Sequence, residues 1–114
     1  MKLSRVRELV NGIYLTGDPE NDPDVANCMG SDMMSDVLAF AEPGAILITG
    51  LINAQSVRTA DIADSVAVIY VRGKKPEETV IELAKELSIP LISTELGMFD
   101  TCGVLAKEGL GGIC

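Results

Sequence analysis

Apolar positions follow two different spacings along the chain, and the difference separates strands from helices. Continuous apolar runs at 45–49 and 66–71 are typical of strands buried on both faces of a parallel sheet. Elsewhere apolar residues recur three or four positions apart, as on one face of an amphipathic helix. This spacing is clearest over 76–87, which begins with Pro76 and carries acidic residues in its first turn.

The same reasoning places the remaining elements. It predicts strands at 13–15, 25–29 and 91–93, an acidic loop at 16–24, and helices at 4–11, 31–42, 55–64 and 97–108. Ser4 is the predicted N-cap of the first helix, and Ser31 or Asp32 that of the second. In that second helix we expect an apolar stripe formed by Met33, Met34, Val37, Leu38 and Ala41.

Strands that alternate with helices through short turns indicate right-handed crossovers and a parallel sheet. No linker, repeat or low-complexity segment divides the 114 residues. We therefore predict one α/β domain spanning 1–114, with three layers and a small, mostly parallel sheet flanked by helices.

Composition excludes several functions. The chain has 9 basic and 17 acidic residues, a net charge of −8, and no histidine. Without histidine there is no Ser–His–Asp or Cys–His catalysis, and an acidic chain is a poor nucleic-acid ligand. No apolar run reaches the roughly 20 residues of a membrane span. Three widely spaced cysteines are an odd number, which favours a reducing, cytoplasmic location.

Four blocks of sequence together resemble a known family. They are DVANCMGSDMMSDVLA at 24–39, AILITG at 45–50, the strand and helix of 66–87, and IPLIST at 89–94 followed by the last helix. In order and spacing they resemble the DRTGG domain family along almost the whole chain. The signature D-R-T-G-G itself is degenerate and reads Asp24-Val25-Ala26-Asn27-Cys28. No role of its arginine or paired glycines is carried over.

The resemblance implies a dimeric regulatory or accessory domain without catalysis, and hence a homodimer with no cofactor. Relatives labelled as kinases resemble the non-catalytic N-terminal part of HPr kinase. The residues agree, because the Gly-Lys pair at Gly73-Lys74 is followed by Lys75 and preceded five positions earlier by Val68, so no P-loop is present. We expect no enzyme activity.

Ligands of open parallel sheets bind beyond the carboxyl ends of the strands. Polar and small residues stand at these ends, and the helix after Gly50 presents N-terminal amides that favour a phosphate or carboxylate. We predict that a small anionic ligand such as a nucleotide contacts Thr49, Gly50, Asn53, Ser56, Gly73, Ser93 and Thr94. The alternative is that these are turn and capping residues.

Three other patterns carry weaker hypotheses. The acidic loop Asp18–Asp24 has calcium-loop spacing, but Pro23 and Met29 replace the required Gly and Glu, which favours a solvated turn. Cys102 fits a buried small hydrophobic position, and nothing near Cys28 lowers its pKa. Cys114 lies at the chain end, where frayed ends are common.

Two function classes remain open on these grounds. One is the ligand-binding regulatory module. The other is an accessory protein that binds a protein partner without a small ligand, through the methionine-rich segment 29–34 or its negative charge. A weaker third reading is a carboxylate-based metal enzyme that uses Asp32, Asp36 or Glu95.

Overall fold

Five strands form a single sheet in the order β1-β5-β4-β3-β2 in the computed structural model, which describes residues 1–17 and 20–113. The elements follow one another as α1 Leu3–Leu9, β1 Ile13–Thr16, β2 Asn27–Gly30, α2 Met34–Phe40, β3 Ala45–Thr49, α3 Ala54–Ile62, β4 Ala67–Tyr70, α4 Glu78–Glu86, β5 Leu91–Ser93 and α5 Met98–Lys107. None of the helices in the described ranges is long and apolar enough to cross a membrane.

Strands β2 to β5 are parallel neighbours, whereas β1 joins the far edge antiparallel to β5. Ile13 at the start of β1 pairs with Ser93 at the end of β5. The prediction of a mostly parallel sheet is confirmed.

Helices cover both faces of the sheet and enclose two apolar cores. Alternation along β3 sends Ile46 and Ile48 into the core under α1 and α5, and Leu47 into the core under α2, α3 and α4. All five residues of β3 are buried. The predicted three-layer arrangement is confirmed, and the continuous apolar runs arise because both strand faces meet helices.

The order of the parallel strands determines what kind of cleft the sheet offers. Consecutive strands β2, β3, β4 and β5 lie side by side, and the crossover helices α2, α3 and α4 all pack on one face. Ligand crevices of doubly wound sheets form where the strand order reverses. These four parallel strands contain no such reversal, so their carboxyl ends lack the crevice that this rule describes.

The predicted N-caps of α1 and α2 are both wrong. Helix α1 begins at Leu3, and the side chain of Asp22 accepts hydrogen bonds from the Ser4 amide (2.9 Å) and hydroxyl (2.7 Å). These bonds, the hydroxyl one foremost, lower the pKa of Asp22. The carboxylate of Asp22, distant in the chain, therefore accepts an amide of the first helical turn, as a local N-cap side chain would. Part of the acidic loop, at Asp18, lies outside the described residues.

Helix α2 begins at Met34 after Met33, and neither Ser31 nor Asp32 caps it. The Ser31 hydroxyl accepts a 3.0 Å hydrogen bond from the Met33 amide instead, which forms a tight turn before the helix. Its apolar stripe is narrower than predicted. Met34 and Val37 are buried, whereas Met33 and Leu38 are 59% and 50% exposed.

Candidate functional site

Asp32 occupies the centre of the polar surface at the strand ends. Its Oδ1 accepts hydrogen bonds from the Gly50 amide (2.7 Å) and the Thr49 hydroxyl (3.0 Å). The Gly50 bond is the main cause that lowers the pKa of Asp32, and the Thr49 hydroxyl and the charges of Arg72 and Lys74 lower it further. Asp32 is therefore an ionised carboxylate that holds the end of β3.

Sequence reasoning assigned Asp32 to helix capping and missed this role. Asp32 and Gly50 are 18 residues apart, and no local signal links them. The parallel register pairs Gly30 with Ile48, so the residues that follow each strand lie side by side. Predicting the register between β2 and β3 would have indicated that Asp32 lies beside Gly50.

Two basic side chains reach the same strand end from the turn after β4. Arg72 and Gly73 both have left-handed backbones (φ 60° and 68°), and the Lys74 amide donates to the Val71 carbonyl at 3.2 Å. This is the geometry of a type I′ turn. It directs the Lys74 ammonium to the Gly50 carbonyl, 3.0 Å away. A Cβ placed on Gly50 would lie 3.2 Å from the Arg72 guanidinium.

Glu95 completes the charged surface from the loop after β5. A Cβ placed on Gly73 would lie only 2.6 Å from a Glu95 carboxylate oxygen, so Gly73 suits both its left-handed backbone and this contact. The strand ends thus gather two carboxylates, Asp32 and Glu95, and two cations, Arg72 and Lys74. Lys75 follows directly in the chain and is exposed.

Three predicted ligand-binding hydroxyls are bonded inside the fold. Ser56 donates to the Asn53 carbonyl and pairs with the Tyr70 hydroxyl, both at 2.8 Å. Ser93 donates to the Lys74 carbonyl at 2.9 Å, and Thr94 to the Val10 carbonyl at 2.6 Å. All three side chains are almost fully buried. They support the loops of the strand-end surface from below and do not face solvent.

Of two further residues predicted to bind the ligand, Asn53 is exposed and Gly50 is buried. Asn53 is the N-cap residue of α3, is exposed, and makes no capping bond with its side chain. Gly50 is buried, and its amide is already bonded to Asp32. A carboxylate of the chain itself therefore occupies the Gly50 amide, whereas the Asn53 side chain is exposed.

A separate cavity of about 500 Å³ opens beside the edge strand β2, between α2 and α5. Its lining includes Cys28, Gly30, Asp36, Phe40 and Cys102. Sequence reasoning did not predict it, because it forms where α5 crosses the sheet edge. Asp36 faces this cavity, away from the Asp32 contacts, so the three carboxylates of the metal-enzyme hypothesis are not gathered.

Neither described thiol is activated. Burial raises the pKa of both Cys28 and Cys102, so each is protonated at neutral pH. Among the His, Cys, Asp and Glu side chains of residues 1–17 and 20–113, no group of three is placed to hold a metal ion. Cys114 lies outside the described residues.

Comparison with known proteins places the chain by its fold and its sequence. No curated protein matches the sequence. The crystal structure of the CBS and DRTGG domains of the regulatory region of Clostridium perfringens pyrophosphatase, complexed with the activator diadenosine tetraphosphate, superposes with a TM-score of 0.77. The alignment covers 90% of this chain and 45% of that chain at 20% identity, so the likeness is one of fold over less than half of the neighbour. A family model described as the DRTGG domain matches residues 5–107, and the chain therefore belongs to the DRTGG domain family.

Proposed function

We propose that the protein is a non-catalytic regulatory domain, with residues 1–114 acting as one unit, that binds a small anionic ligand such as a nucleotide at the ends of β3 and β4. Two comparisons support this proposal. The chain is a DRTGG domain, and a protein of the same fold is a regulatory region complexed with a dinucleotide activator. The odd cysteine count and the two unpaired described cysteines support a cytoplasmic location.

The main support for the proposal is the left-handed turn after β4, which places the side chains of Arg72 and Lys74 next to Gly50. The chain has only 9 basic residues and a net charge of −8, so most of its surface repels anions. At this strand end two cations lie close together and Lys75 is adjacent. A backbone that holds left-handed Arg72 is strained, and such strain is common at ligand sites.

The predicted binding residues then have different roles. Among them, Asn53 contacts the ligand. Arg72 and Lys74, which the sequence prediction did not include, contact it as well, and the charge of Lys75 is nearby. Thr49, Gly50 and Gly73 form the floor between them. Ser56, Ser93 and Thr94 hold that floor from inside the fold, as their buried hydrogen bonds indicate.

In this arrangement Asp32 competes with the ligand for the two cations. Its carboxylate bonds the Gly50 amide and attracts the same two cations that the ligand needs. A ligand phosphate either shares Arg72 and Lys74 with Asp32 or displaces it from Gly50. In both cases Asp32→Asn tightens binding, because a neutral amide competes less for the cations.

The test is a thermal-shift screen against adenine and guanine nucleotides, diadenosine tetraphosphate and phosphosugars. A ligand at 100 times its Kd adds about 2.7 kcal/mol, which raises the Tm of a domain of this size by roughly 10 °C. Arg72→Gln and Lys74→Gln should abolish most of that shift. Lys85→Gln is the matched control, because Lys85 lies on α4 in an exposed pair with Glu82.

A flat response across the panel contradicts the ligand-binding proposal. A shift that Arg72→Gln leaves unchanged contradicts the proposed place of binding. Turnover of a nucleotide by the protein contradicts the non-catalytic part of the proposal.

We further propose a homodimer formed through α2. This helix and its N-cap expose Met33, Leu38 and Phe40 by 50–59%. Light scattering after size exclusion should give twice the chain mass for the wild type and for Ile62→Glu, an exposed apolar position on α3. Leu38→Glu should give a monomer. A dimer with no ligand response in the screen would favour the alternative function, a protein-binding adaptor.

A further inference from the structure

Two sulfur atoms lie over Gly30 on β2, the last strand of the sheet. Met98 and Cys102 lie four residues apart on α5, and their sulfur atoms are 3.9 Å apart. A Cβ placed on Gly30 would lie 2.9 Å from the Cys102 sulfur and 3.0 Å from the Met98 sulfur. Both sulfurs therefore occupy the space that any side chain at position 30 would fill.

Cys28 brings a third sulfur to the same face. It precedes Gly30 by two residues on β2, so its side chain points to the same side of the sheet. It belongs to the core against which Met98 and Cys102 pack, and it lines the 500 Å³ cavity together with Cys102.

This arrangement matches the needs of a thiophilic ion. Three sulfurs in trigonal contact with one metal, with bonds of about 2.3 Å, stand about 4 Å apart. The distance between the Met98 and Cys102 sulfurs already has this value. Thiolates bind both Cu(I) and Zn²⁺, but structural Zn²⁺ sites are almost always four-coordinate, so a set of three sulfurs that includes a thioether favours Cu(I). Mg²⁺ and Ca²⁺ take oxygen ligands instead. The cavity beside β2 gives the ion a path from solvent.

We propose that Cys28, Cys102 and Met98 form a trigonal binding site for one Cu(I) ion. Binding releases one proton from each thiol and forms three copper–sulfur bonds, with no change of oxidation state. Gly30 positions the site, because its missing side chain is what lets the α5 sulfurs approach β2. The site is separate from the Arg72 surface and does not depend on it.

The experiment is an anaerobic titration of Cu(I)-bicinchoninate with the full chain in a Cys114→Ser background, which leaves two cysteines. We expect the protein to withdraw one equivalent of copper. Cys28→Ala and Cys102→Ala should lose binding, and Met98→Leu and Gly30→Ala should weaken it by more than about tenfold. Met33→Leu, at an exposed methionine outside the cluster, should bind as the reference does.

Thermal unfolding of each variant checks the fold, and Met98→Leu keeps the volume of the side chain if a cysteine variant does not fold. X-ray absorption should show three sulfurs at about 2.3 Å. The proposal is overturned if no copper is withdrawn. It is also overturned if Met98→Leu and Gly30→Ala bind like Met33→Leu, or if one copper bridges two chains.

Discussion

Asp32 accepts a 2.7 Å hydrogen bond from the backbone amide of Gly50, and this contact joins the end of β2 to the end of β3. The same oxygen accepts the Thr49 hydroxyl, whose own oxygen accepts the Leu51 amide at 3.1 Å. A chain of hydrogen bonds thus holds the loop that leads into α3. The carboxylate of Asp32 therefore stabilises this loop from within the chain.

Asp32→Asn should lower the free energy of unfolding at pH 7 by about 1 kcal/mol, near the low end for a charge-assisted bond because the exposed side chain is screened by solvent. The pKa of Asp32 is lower folded than unfolded, chiefly because of the Gly50 amide. Its contribution is therefore complete above the unfolded value and is lost as the pH falls through the folded value. Urea unfolding of both proteins at pH 7 and in acid measures this.

Asp36→Asn removes another exposed carboxylate, on α2, and serves as the control; it should change the free energy of unfolding at pH 7 by less than Asp32→Asn does. An equal difference between the Asp32 variant and the wild type at both pH values would show that the carboxylate charge is not what stabilises the loop.

Gly73→Ala should destabilise the protein by about 1–2 kcal/mol, because position 73 has a left-handed backbone that disfavours a Cβ. The added Cβ also displaces the Glu95 carboxylate. Gly103→Ala is a control of opposite sign. It lies within α5 with open space around it, so alanine should stabilise the helix by about 0.5–1 kcal/mol. Chemical denaturation of the two variants compares them, and a stabilised Gly73 variant would refute the turn geometry.

Alkylation of Cys28 and Cys102 should be slow at neutral pH, because burial raises the pKa of both thiols and only the thiolate reacts. The rate should rise about tenfold per pH unit until the thiols ionise. Cys102 should react first, since Cys28 is only 8% exposed. Mass spectrometry after timed iodoacetamide exposure, in a Cys114→Ser background, follows each site. Rapid labelling that does not vary with pH would be inconsistent with protonated, buried thiols.

Thr101→Val should stabilise the protein by about 1 kcal/mol. The Thr101 side chain is fully buried, and its hydroxyl has no hydrogen-bond partner in the part of the chain that the structure describes. Valine keeps the shape and removes the unpaired polar group. Thr94→Val is the same substitution at a buried hydroxyl that donates to the Val10 carbonyl. It should have the opposite effect and lower the free energy of unfolding by about 1–3 kcal/mol. Calorimetry that ranks the two variants in the reverse order would contradict both assignments.

The strand-end hydroxyls show where sequence reasoning reaches its limit. Ser93 and Thr94 lie at the end of a strand, as predicted. The sequence does not distinguish a hydroxyl there that binds a ligand from one that bonds to a neighbouring loop. The Thr94 hydroxyl donates to the carbonyl of Val10, 84 residues away in the chain, and no local sequence pattern predicts that partner. The cavity beside β2 has the same origin, since it exists only where α5 crosses the sheet edge.

By itself the sequence determined the elements and their layers. Strands β3 and β5 occupy the predicted residues, because an apolar run buried on both faces is a local property of the chain. Only the tertiary structure decided that β1 runs antiparallel, that Asp32 bonds Gly50, and that the Met98 and Cys102 sulfurs lie over Gly30. Each of these depends on register and on the approach of segments distant in sequence, which side-chain periodicity does not encode.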